Sequence, residues 1–523
     1  MAREPGRDGA NARRLLLIAS GVLGALAFPK TDWAQLAWVW LVPALVSGAT
    51  RPSRSALRDG WLAGTVFYVV LLRWLDHTFL NYSEIPWPIT WLPILALAAY
   101  CGLYVGLVAS AVAWLRGRLG PGIALALAAP LWVVGEWLRG HLMGGFPWGL
   151  LGYSQHAELP VIQIAELGGV YAVSFLIVSL NAALAALLVL GPRRAWPGLA
   201  VAALLLGGSL AFGAHALATE DGRAAAGSAP GVGSVVESAS VEIAVIQPSI
   251  EQTIKWDPAR HAQILDIYEA LTRQAAASRP AVVLWPETAT TIFLRGDQAL
   301  LERLTRLSTE IGTPILVGSI DRRDGPQGQF LNSAFLLTGQ GITAKYDKIH
   351  LVPFGEYVPL AGVLGFVKGW AEFISEFGTG DSETIFPLPG APFGTVICYE
   401  VIFPELFRGF VVRGASFMAN ITNDAWFGET SGPWQHLGTL PLRAVEHRVA
   451  IARAANTGVS GFVAPTGRVG PTLPLLARGV LHGRIPLRAR PTLYTRLGDW
   501  LVYASAGLGA ATAALALFRR SSA

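Results

Sequence analysis

Three side chains with complementary chemistry lie in the second half of this sequence: the carboxylate of Glu287, the ammonium of Lys348 and the thiol of Cys398. A thiol with a reference pKa of about 8.5 is mostly protonated at neutral pH, so it needs a base or a cation nearby to attack a carbonyl carbon. A carboxylate can take the thiol proton and return it to a leaving group, while an ammonium stabilises the oxyanion of a tetrahedral intermediate. These residue types together indicate acyl transfer through a thioester.

Each of these residues also has a structural interpretation. A single cysteine in an apolar strand, such as Cys398, is more often a small core residue than a nucleophile. Glu287 follows an apolar strand and a proline, which suits either a side chain projecting into a pocket or a surface turn. Lys348 belongs either to a site or to a solvated basic run with Lys345. Glu356, eight residues beyond Lys348, is a second carboxylate that can pair with the ammonium or assist Glu287.

The elements that must position these groups include a membrane body. Of the 523 residues, 52% are hydrophobic and 14% are charged, whereas charged residues usually make up about a quarter of a globular domain. Apolar runs long enough to cross a bilayer as helices suggest an acyl group that comes from lipid. These runs predict a multi-pass α-helical bundle of about eight spans, near 14–29, 33–48, 59–78, 89–114, 121–140, 162–190, 196–217 and 500–518.

Arginine is concentrated in every second loop between the predicted spans. This pattern explains the net charge of +5 by membrane topology and gives no reason to expect a nucleic-acid partner. With the arginine-rich loops inside, both termini are cytoplasmic and residues 219–499 lie outside the cytoplasm. The basic N-terminus lacks a small-residue cleavage pattern and predicts an uncleaved anchor. Two cysteines, of which Cys101 lies in an apolar run, make no disulfide framework.

Composition divides the chain into four segments: a membrane domain over 1–218, a linker over 219–240, an extracytoplasmic catalytic domain over 241–490, and a last span with a cytoplasmic tail over 491–523. Strand and helix patterns alternate in the catalytic domain, which predicts a layered α/β fold with the helices outside. Strands are predicted at 241–247, 281–285, 314–319, 333–338, 394–398, 416–421, 460–464 and 479–485, and helices at 258–278, 297–311, 404–413 and 436–449.

An apolar stretch over residues 360–378 is unusual for a loop of a globular domain. One interpretation is a helix packed on the core of the domain. The other is an apolar lid that lies on the bilayer and admits a lipid chain.

The motifs around the three reactive residues resemble those of the nitrilase (carbon–nitrogen hydrolase) superfamily. They are Trp285-Pro286-Glu287, Asp347-Lys348 followed by Pro353-Phe354-Gly355-Glu356-Tyr357-Val358-Pro359, and Cys398-Tyr399-Glu400. Segments 245–248 and 420–427 resemble the opening strand of that fold and the segment after its cysteine. Seven predicted spans before such a domain and one after it resemble one family in particular, the apolipoprotein N-acyltransferases of bacterial envelopes. Segments 146–148, 152–155, 255–257 and 453–458 are also similar to that family.

The resemblance implies an α-β-β-α sandwich and a reaction in two steps. The family takes an acyl chain from a phospholipid, holds it as a thioester and passes it to the N-terminal amine of a lipoprotein's diacylglyceryl-cysteine. By resemblance, Cys398 is the nucleophile, Glu287 the general base and later acid, Lys348 the oxyanion stabiliser and Glu356 a supporting carboxylate. The resemblance also implies substrate-binding positions at Trp148, Trp256, Asn332, Tyr399 and Glu400. It implies a bacterial inner-membrane location with a periplasmic catalytic domain, and no cofactor or metal is expected. We expect a monomer because one chain holds all the parts of the site.

Other functions remain open at the level of sequence. A membrane-tethered amidase or nitrilase acting on a small soluble amide would use the same three residues with water as acceptor, although it needs only one anchor. A transporter or lipid-binding scaffold with an inactive enzyme domain is a different class. A Cys-His protease lacks a recognisable partner motif, and the nine histidines show no metal-ligand spacing, so His436 and His447 are interpreted as structural. Arg139 with Glu136 is either a lipid-phosphate contact or an intrahelical ion pair.

Overall fold

The computed structural model describes residues 7–226, 240–324, 328–357, 377–488 and 490–521. The chain forms two compact units. The first comprises Met1–Asp76, Pro86–His215 and Asp499–Ala523, and the second comprises His77–Ile85 and Ala216–Gly498. Apart from residues 377 and 378, the apolar stretch 360–378 lies outside the described residues.

The first unit is helical, as expected for long apolar runs that satisfy their backbone groups internally. Its α-helices include Arg7–Leu26, Val42–Thr50, Ser53–Leu71, Trp91–Leu119, Pro121–Ala126, Ala128–His141, Leu159–Ile162, Ala165–Gly168, Val170–Leu190 and Trp500–Ser521. Leu75–Tyr82 and Pro192–Ala226 begin in this unit and end in the second. Short 3-10 helices occupy Ala34–Trp38, Leu142–Gly144 and Leu151–Gln155.

Four of the described helices are long and apolar enough to cross a membrane: Trp91–Leu119, Val170–Leu190, Pro192–Glu220 and Trp500–Phe518. A fifth candidate arises if the bent pair Ser53–Leu71 and Leu75–Tyr82 is one span. The prediction of several membrane helices is therefore confirmed, but the described helices do not give the predicted count of eight. Breaks explain part of the difference. The predicted run 33–48 is divided between the 3-10 helix Ala34–Trp38 and the helix Val42–Thr50, and the run 121–140 is divided between Pro121–Ala126 and Ala128–His141.

Arg139, a candidate lipid-phosphate contact in the sequence, is buried inside the first unit. Its guanidinium donates to the carbonyl oxygens of Phe146 and Trp148 at 2.5 and 2.8 Å. Glu136 accepts the N–H of Leu151 at 2.6 Å. A buried charge is tolerated when it has such partners. The contacts therefore favour a structural role, but a different one from the predicted intrahelical ion pair: Arg139 and Glu136 each bond to the backbone of the loop that carries Trp148.

The second unit is built on two six-stranded sheets. The strands are β1 Ser240–Gln247, β2 Val282–Leu284, β3 Ile315–Arg322, β4 Phe330–Thr338, β5 Gly341–Asp347, β6 Ile385–Phe386, β7 Phe393–Ile397, β8 Phe417–Thr422, β9 Ile451–Ala455, β10 Ser460–Val463, β11 Val469–Leu473 and β12 Gly479–Pro486. The first sheet has the order β12-β1-β2-β3-β4-β5, and the second has the order β11-β10-β9-β8-β7-β6.

The two sheets share one plan. Three neighbouring parallel strands form the centre of each, β1-β2-β3 in one and β7-β8-β9 in the other, and the flanking pairs are antiparallel. β1 pairs with β12 over its whole length, from Ser240 opposite Pro486 to Gln247 opposite Gly479. Because parallel strands require crossover connections, helices link them and lie outside the sheets.

Helices cover the outer face of each sheet and complete an α-β-β-α arrangement. His261–Ala276 packs on β1 and β12, and Gln298–Ile311 packs on β4 and β5. On the second sheet, Pro404–Val412 packs on β7 and Leu440–His447 on β10. β1 contacts β9 and β10, so the remaining faces of the two sheets meet. The other described helices of the unit are Gln252–Lys255, Gly432–Leu437 and Leu493–Leu497, with 3-10 turns at Pro258–Arg260, Cys398–Ile402 and Asp424–Phe427.

Candidate active site

The three reactive residues lie just beyond the carboxyl ends of strands. Glu287 follows β2 by three residues, while Lys348 and Cys398 directly follow β5 and β7. β4 contacts β7 across the two sheets. Glu287 and Lys348, 61 positions apart in sequence, are within hydrogen-bonding distance, and so are Glu287 and the backbone of Asn423, 136 positions apart. Strands of the two packed sheets end at the same edge. This edge therefore brings side chains from both sheets together.

Lys348 lies between two carboxylates. Its Nζ is 3.3 Å from Oε1 of Glu287 and 2.8 Å from Oε1 of Glu356. The Lys348 side chain is 1% exposed. Burial disfavours its charged form, but the charges of Glu356 and Glu287 outweigh burial and raise the pKa of Lys348 above its ordinary value. Lys348 is therefore a permanent cation that can stabilise a developing oxyanion.

Both carboxylates are oriented by further donors. The Asn332 side-chain amide donates to Glu287 at 2.7 Å and to Glu356 at 3.1 Å. The backbone N–H of Asn423 donates to the second oxygen of Glu287 at 2.8 Å, and that of Val352 donates to the second oxygen of Glu356 at 2.8 Å. The sequence suggested Asn332 as a pocket residue, and in the structure it is 3% exposed and bridges the two acids.

Cys398 occupies a sharp turn at the end of β7. It starts the 3-10 turn Cys398–Ile402 with φ at 52°, and it is 6% exposed. A non-glycine residue in this left-handed region costs roughly 1–2 kcal/mol, which the surrounding structure must offset. Burial raises the pKa of the Cys398 thiol, and the charge of Glu287 raises it further, while Lys348 acts in the opposite direction. The thiol therefore needs a base to become a nucleophile.

A buried polar network holds this turn from behind. His436 donates through Nε2 to the carbonyl oxygen of Cys398 at 3.1 Å, and its Nδ1 lies 3.0 Å from Asp424. Arg453 donates to the other oxygen of Asp424 at 2.5 Å. Burial disfavours the Asp424 carboxylate, but the charges of Arg453 and His436 outweigh it and keep the pKa of Asp424 below its ordinary value. His436, interpreted from the sequence as structural, is thus a direct support of the cysteine.

Glu400 connects the turn that carries Lys348 to the strand that carries Cys398. It is fully buried and accepts hydrogen bonds from the Tyr346 hydroxyl and from three backbone N–H groups, those of Ile349, His350 and Ile397. The distances are between 2.6 and 3.1 Å. Burial raises the pKa of Glu400 to about 7, although these donors and the charge of Lys348 oppose the shift. The position favours a role in alignment of the site.

Replacing Glu400 with glutamine should lower the free energy of unfolding by about 1–3 kcal/mol, because one acceptor oxygen would replace two among four donors. The raised pKa of Glu400 contributes stability below the pKa of the unfolded chain, and this contribution is lost as pH rises through about 7. The loss of unfolding free energy caused by Glu400→Gln should therefore be smaller at alkaline pH than at acid pH. Denaturant unfolding of the detergent-solubilised protein and of the variant at several pH values measures this difference in unfolding free energy.

Glu302→Gln is the matched control, because its side chain is 56% exposed on the helix Gln298–Ile311. It should leave stability unchanged within the error of the measurement. Equal deficits for Glu400→Gln and Glu302→Gln would contradict the role given to Glu400.

The remaining predicted binding residues differ in placement. Trp256 is 41% exposed, and the Nζ of Lys255 is 6.0 Å from the centre of its ring. Tyr399 is 7% exposed and packs edge-to-face on Phe403 with ring centres 5.2 Å apart. Trp148 belongs to the first unit, where it is 3% exposed and packs against Trp74. Of the predicted binding residues, Trp256 has a large exposed apolar surface.

Both units are similar to known protein families. The family described as "Apolipoprotein N-acyltransferase N-terminal domain" matches residues 20–183, and the family described as "Carbon-nitrogen hydrolase" matches residues 242–491. A protein of Geobacter metallireducens named apolipoprotein N-acyltransferase is 37% identical over 97% of this chain and 96% of its own length. The chain belongs to the apolipoprotein N-acyltransferase family. Members from Azotobacter vinelandii and Haemophilus ducreyi are 36% and 31% identical, each over 97% of this chain and 95% and 96% of their own lengths.

The family assignment confirms the resemblance seen in the sequence motifs, and the carbon–nitrogen hydrolase match agrees with the two-sheet fold of the second unit. Among solved structures, a mutant amidase from Nesterenkonia sp. AN1 with a covalent addition at its active-site cysteine is similar to part of this chain. It is 23% identical, covers 49% of this chain and 94% of its own, and has a TM-score of 0.37.

Proposed function

We propose that this apolipoprotein N-acyltransferase family member takes a fatty acyl chain from a phospholipid and transfers it to the N-terminal amine of the diacylglyceryl-cysteine of a lipoprotein. The observation that carries the chemical assignment is the buried Glu287–Lys348–Glu356 cluster beside a buried thiol at the end of β7. In this assignment Cys398 is the nucleophile, Glu287 the general base and acid, and Lys348 the oxyanion stabiliser. Glu356 and Asn332 orient the other groups.

In the first half-reaction, Glu287 takes the proton of Cys398 as the sulfur attacks the ester carbonyl of the phospholipid. A C–S bond forms, and the carbonyl π electrons move to oxygen, where Lys348 balances the negative charge. The intermediate collapses when the ester C–O bond breaks. The leaving lysophospholipid oxygen takes the proton from Glu287, and the acyl chain remains on Cys398 as a thioester.

In the second half-reaction, the lipoprotein amine attacks the thioester carbonyl and gives a proton to Glu287. The C–S bond breaks, the amide bond remains on the lipoprotein, and the Cys398 sulfur takes the proton back. Water would compete with the amine for the same thioester, so a site closed to water favours transfer over hydrolysis. The burial of Cys398 supports this feature.

The membrane assignments are part of the same proposal. Both substrates carry acyl chains, which suits a chain with several apolar helices. The arginine distribution favours about eight spans, cytoplasmic termini and a periplasmic catalytic domain in a bacterial inner membrane. The proposal also includes a domain over 241–490 between a linker and a last span, and a monomeric state. Trp148, Trp256 and Tyr399 are proposed as substrate-binding residues, and Glu400 is proposed to align the site. The apolar stretch 360–378 remains a candidate lid.

The thioester provides the direct test. Detergent-solubilised protein is incubated without acceptor with a phospholipid whose two acyl chains differ in mass, and its intact mass is measured before and after neutral hydroxylamine. The expected result is the gain of one acyl chain, its removal by hydroxylamine, and no gain in Cys398→Ala. The mass of the adduct also identifies which ester position is used.

Two outcomes would contradict the proposal. An adduct that persists in Cys398→Ala would exclude this cysteine as the nucleophile. No adduct, together with failure to acylate a diacylglyceryl-modified lipopeptide, would favour the tethered amidase, which can be tested with small soluble amides. Cys101 is an internal control, because it is the other of the two cysteines in the sequence and lies buried in the first unit.

A further inference from the structure

A second buried ammonium, that of Lys255, lies beside the general base. Lys255 ends the short helix Gln252–Lys255 and is 1% exposed. Its Nζ donates to the backbone carbonyl oxygen of Glu287 at 3.2 Å and to Oγ1 of Thr288 at 2.7 Å. Thr288 has a φ of 46°, so Lys255 holds the backbone at the point where the chain turns after Glu287. No role of Lys255 in the reaction follows from the sequence alone.

The charges of the site explain why a second cation is useful there. Two carboxylates, Glu287 and Glu356, share the single ammonium of Lys348. An excess of negative charge in a buried site opposes formation of a thiolate and of an oxyanion. Lys255 interacts electrostatically with both Glu287 and Cys398. With its charge included, the two carboxylates are balanced by two ammonium groups before the thiol loses its proton.

We propose that Lys255 is a positioning residue of the acyl-transfer site, which fixes the backbone of Glu287 and supplies the second positive charge that makes Cys398 reactive. This inference rests on the proposed roles of Glu287 and Cys398. In this proposal the Lys255 ammonium acts on the thiol electrostatically, and it does not contact the transferred acyl group. A residue that served only to fill space would not need an ammonium, whose burial is costly.

The titration of Lys255 gives the proposal a distinctive signature. Burial lowers the pKa of Lys255 to about 8, although the charges of Glu287 and Cys398 oppose this shift. The charged form is therefore present below about pH 8 and is lost above it. The first half-reaction should consequently become slower as pH rises through about 8. Lys348 should stay charged through this range, because its carboxylate partners raise its pKa.

The experiment measures the first half-reaction alone. Single-turnover thioester formation with phospholipid and no acceptor is followed by intact mass as a function of pH for the unaltered protein, Lys255→Met and Lys255→Arg. Lys255→Met should be at least about tenfold slower at pH 7, which corresponds to one pKa unit of the thiol. Its rate should show no fall near pH 8. Lys255→Arg, whose charge persists, should retain its rate to higher pH than the unaltered protein.

A second readout does not depend on the lipid substrate. Alkylation by iodoacetamide at pH 7, counted by intact mass and assigned with Cys398→Ala, should be slower at Cys398 in Lys255→Met. Arg306→Met removes one positive charge from the same unit, on a side chain that is 73% exposed, and should change neither readout. Thermal unfolding of each variant identifies any that fails to fold.

Normal thioester formation and alkylation in a folded Lys255→Met, with the fall near pH 8 unchanged, would overturn the inference while leaving the proposed function intact. A loss of thermal stability alone would show a structural role only, and would also overturn it. Failure of the proposed function would look different, because the unaltered protein would then form no adduct at all.

Discussion

Replacing Glu287 with glutamine should lower the rate of thioester formation by about 10²–10⁴-fold, the usual contribution of a positioned general base. Glutamine cannot accept the thiol proton. It also presents an NH₂ group to a position where Lys348, Asn332 and the backbone N–H of Asn423 all donate. Rapid mixing with phospholipid followed by intact mass measures the rate, and the same variant should be slow in acylation of a lipopeptide.

Glu310→Gln is the matched control for Glu287→Gln. Its carboxylate is 54% exposed and pairs with Arg273 on the surface, where solvent screens the interaction. Its rate of thioester formation should equal that of the unaltered protein. If Glu287→Gln folded normally and formed the thioester within a few-fold of the normal rate, Glu287 would not be the base.

Replacing Lys348 with methionine should abolish turnover and also destabilise the catalytic unit. The change leaves two buried carboxylates facing one another, and removal of one partner of a buried ion pair costs about 3–5 kcal/mol. Turnover is lost because no cation remains beside the oxyanion. Denaturant unfolding followed by tryptophan fluorescence measures the loss of stability. Intact mass after incubation with phospholipid measures the loss of thioester formation.

A double variant separates these two effects. Lys348→Met combined with Glu356→Gln removes one of the facing carboxylates, so part of the lost stability should return while thioester formation stays absent. Recovery of both stability and thioester formation in the double variant would contradict the role of Lys348 as oxyanion stabiliser. It would indicate instead that the single variant is inactive because it is poorly folded.

Most of the predicted strands of the catalytic unit, such as β2, β7 and β8, are buried along their whole length and read as apolar runs. All eight predicted strands are present with ends shifted by at most three residues, for example β1 at Ser240–Gln247 and β12 at Gly479–Pro486. The prediction missed four strands. β5 and β11 carry polar and glycine residues at exposed or half-buried positions, β6 has only two residues, and β9 contains the buried Arg453. A buried arginine in a strand interrupts the apolar pattern used to find strands.

Helix breaks in the first unit were harder to predict from composition. An apolar run shows that a segment is compatible with a bilayer, but continuity of the helix depends on single backbone positions such as Leu127, which separates Pro121–Ala126 from Ala128–His141. The runs that gave eight predicted spans therefore include short and broken helices as well as long ones. Length and hydropathy predicted a protein with several membrane helices better than they predicted the number of those helices.

The chemistry of the site was predictable from residue types, whereas its support was not. Glu287, Lys348 and Glu356 meet as expected from their motifs. The contacts of His436 with Cys398, and of Lys255 with the turn after Glu287, join residues far apart in sequence. No local pattern reports such contacts, since they depend on which strand ends become neighbours. Lys255 directly precedes Trp256 in a segment similar to the family, but this sequence does not indicate which residue Lys255 contacts.

Pairing of the first strand with the last has a consequence for biosynthesis. β1 leaves the ribosome long before β12, whose first residue, Gly479, pairs with Gln247. At about 5–20 residues per second, roughly 10 to 50 seconds of translation separate the two strands. During that interval one edge of β1 has exposed backbone donors and acceptors that another chain can occupy. The newly synthesised domain therefore passes through an interval in which it is vulnerable to aggregation, and this interval ends when β12 pairs with β1.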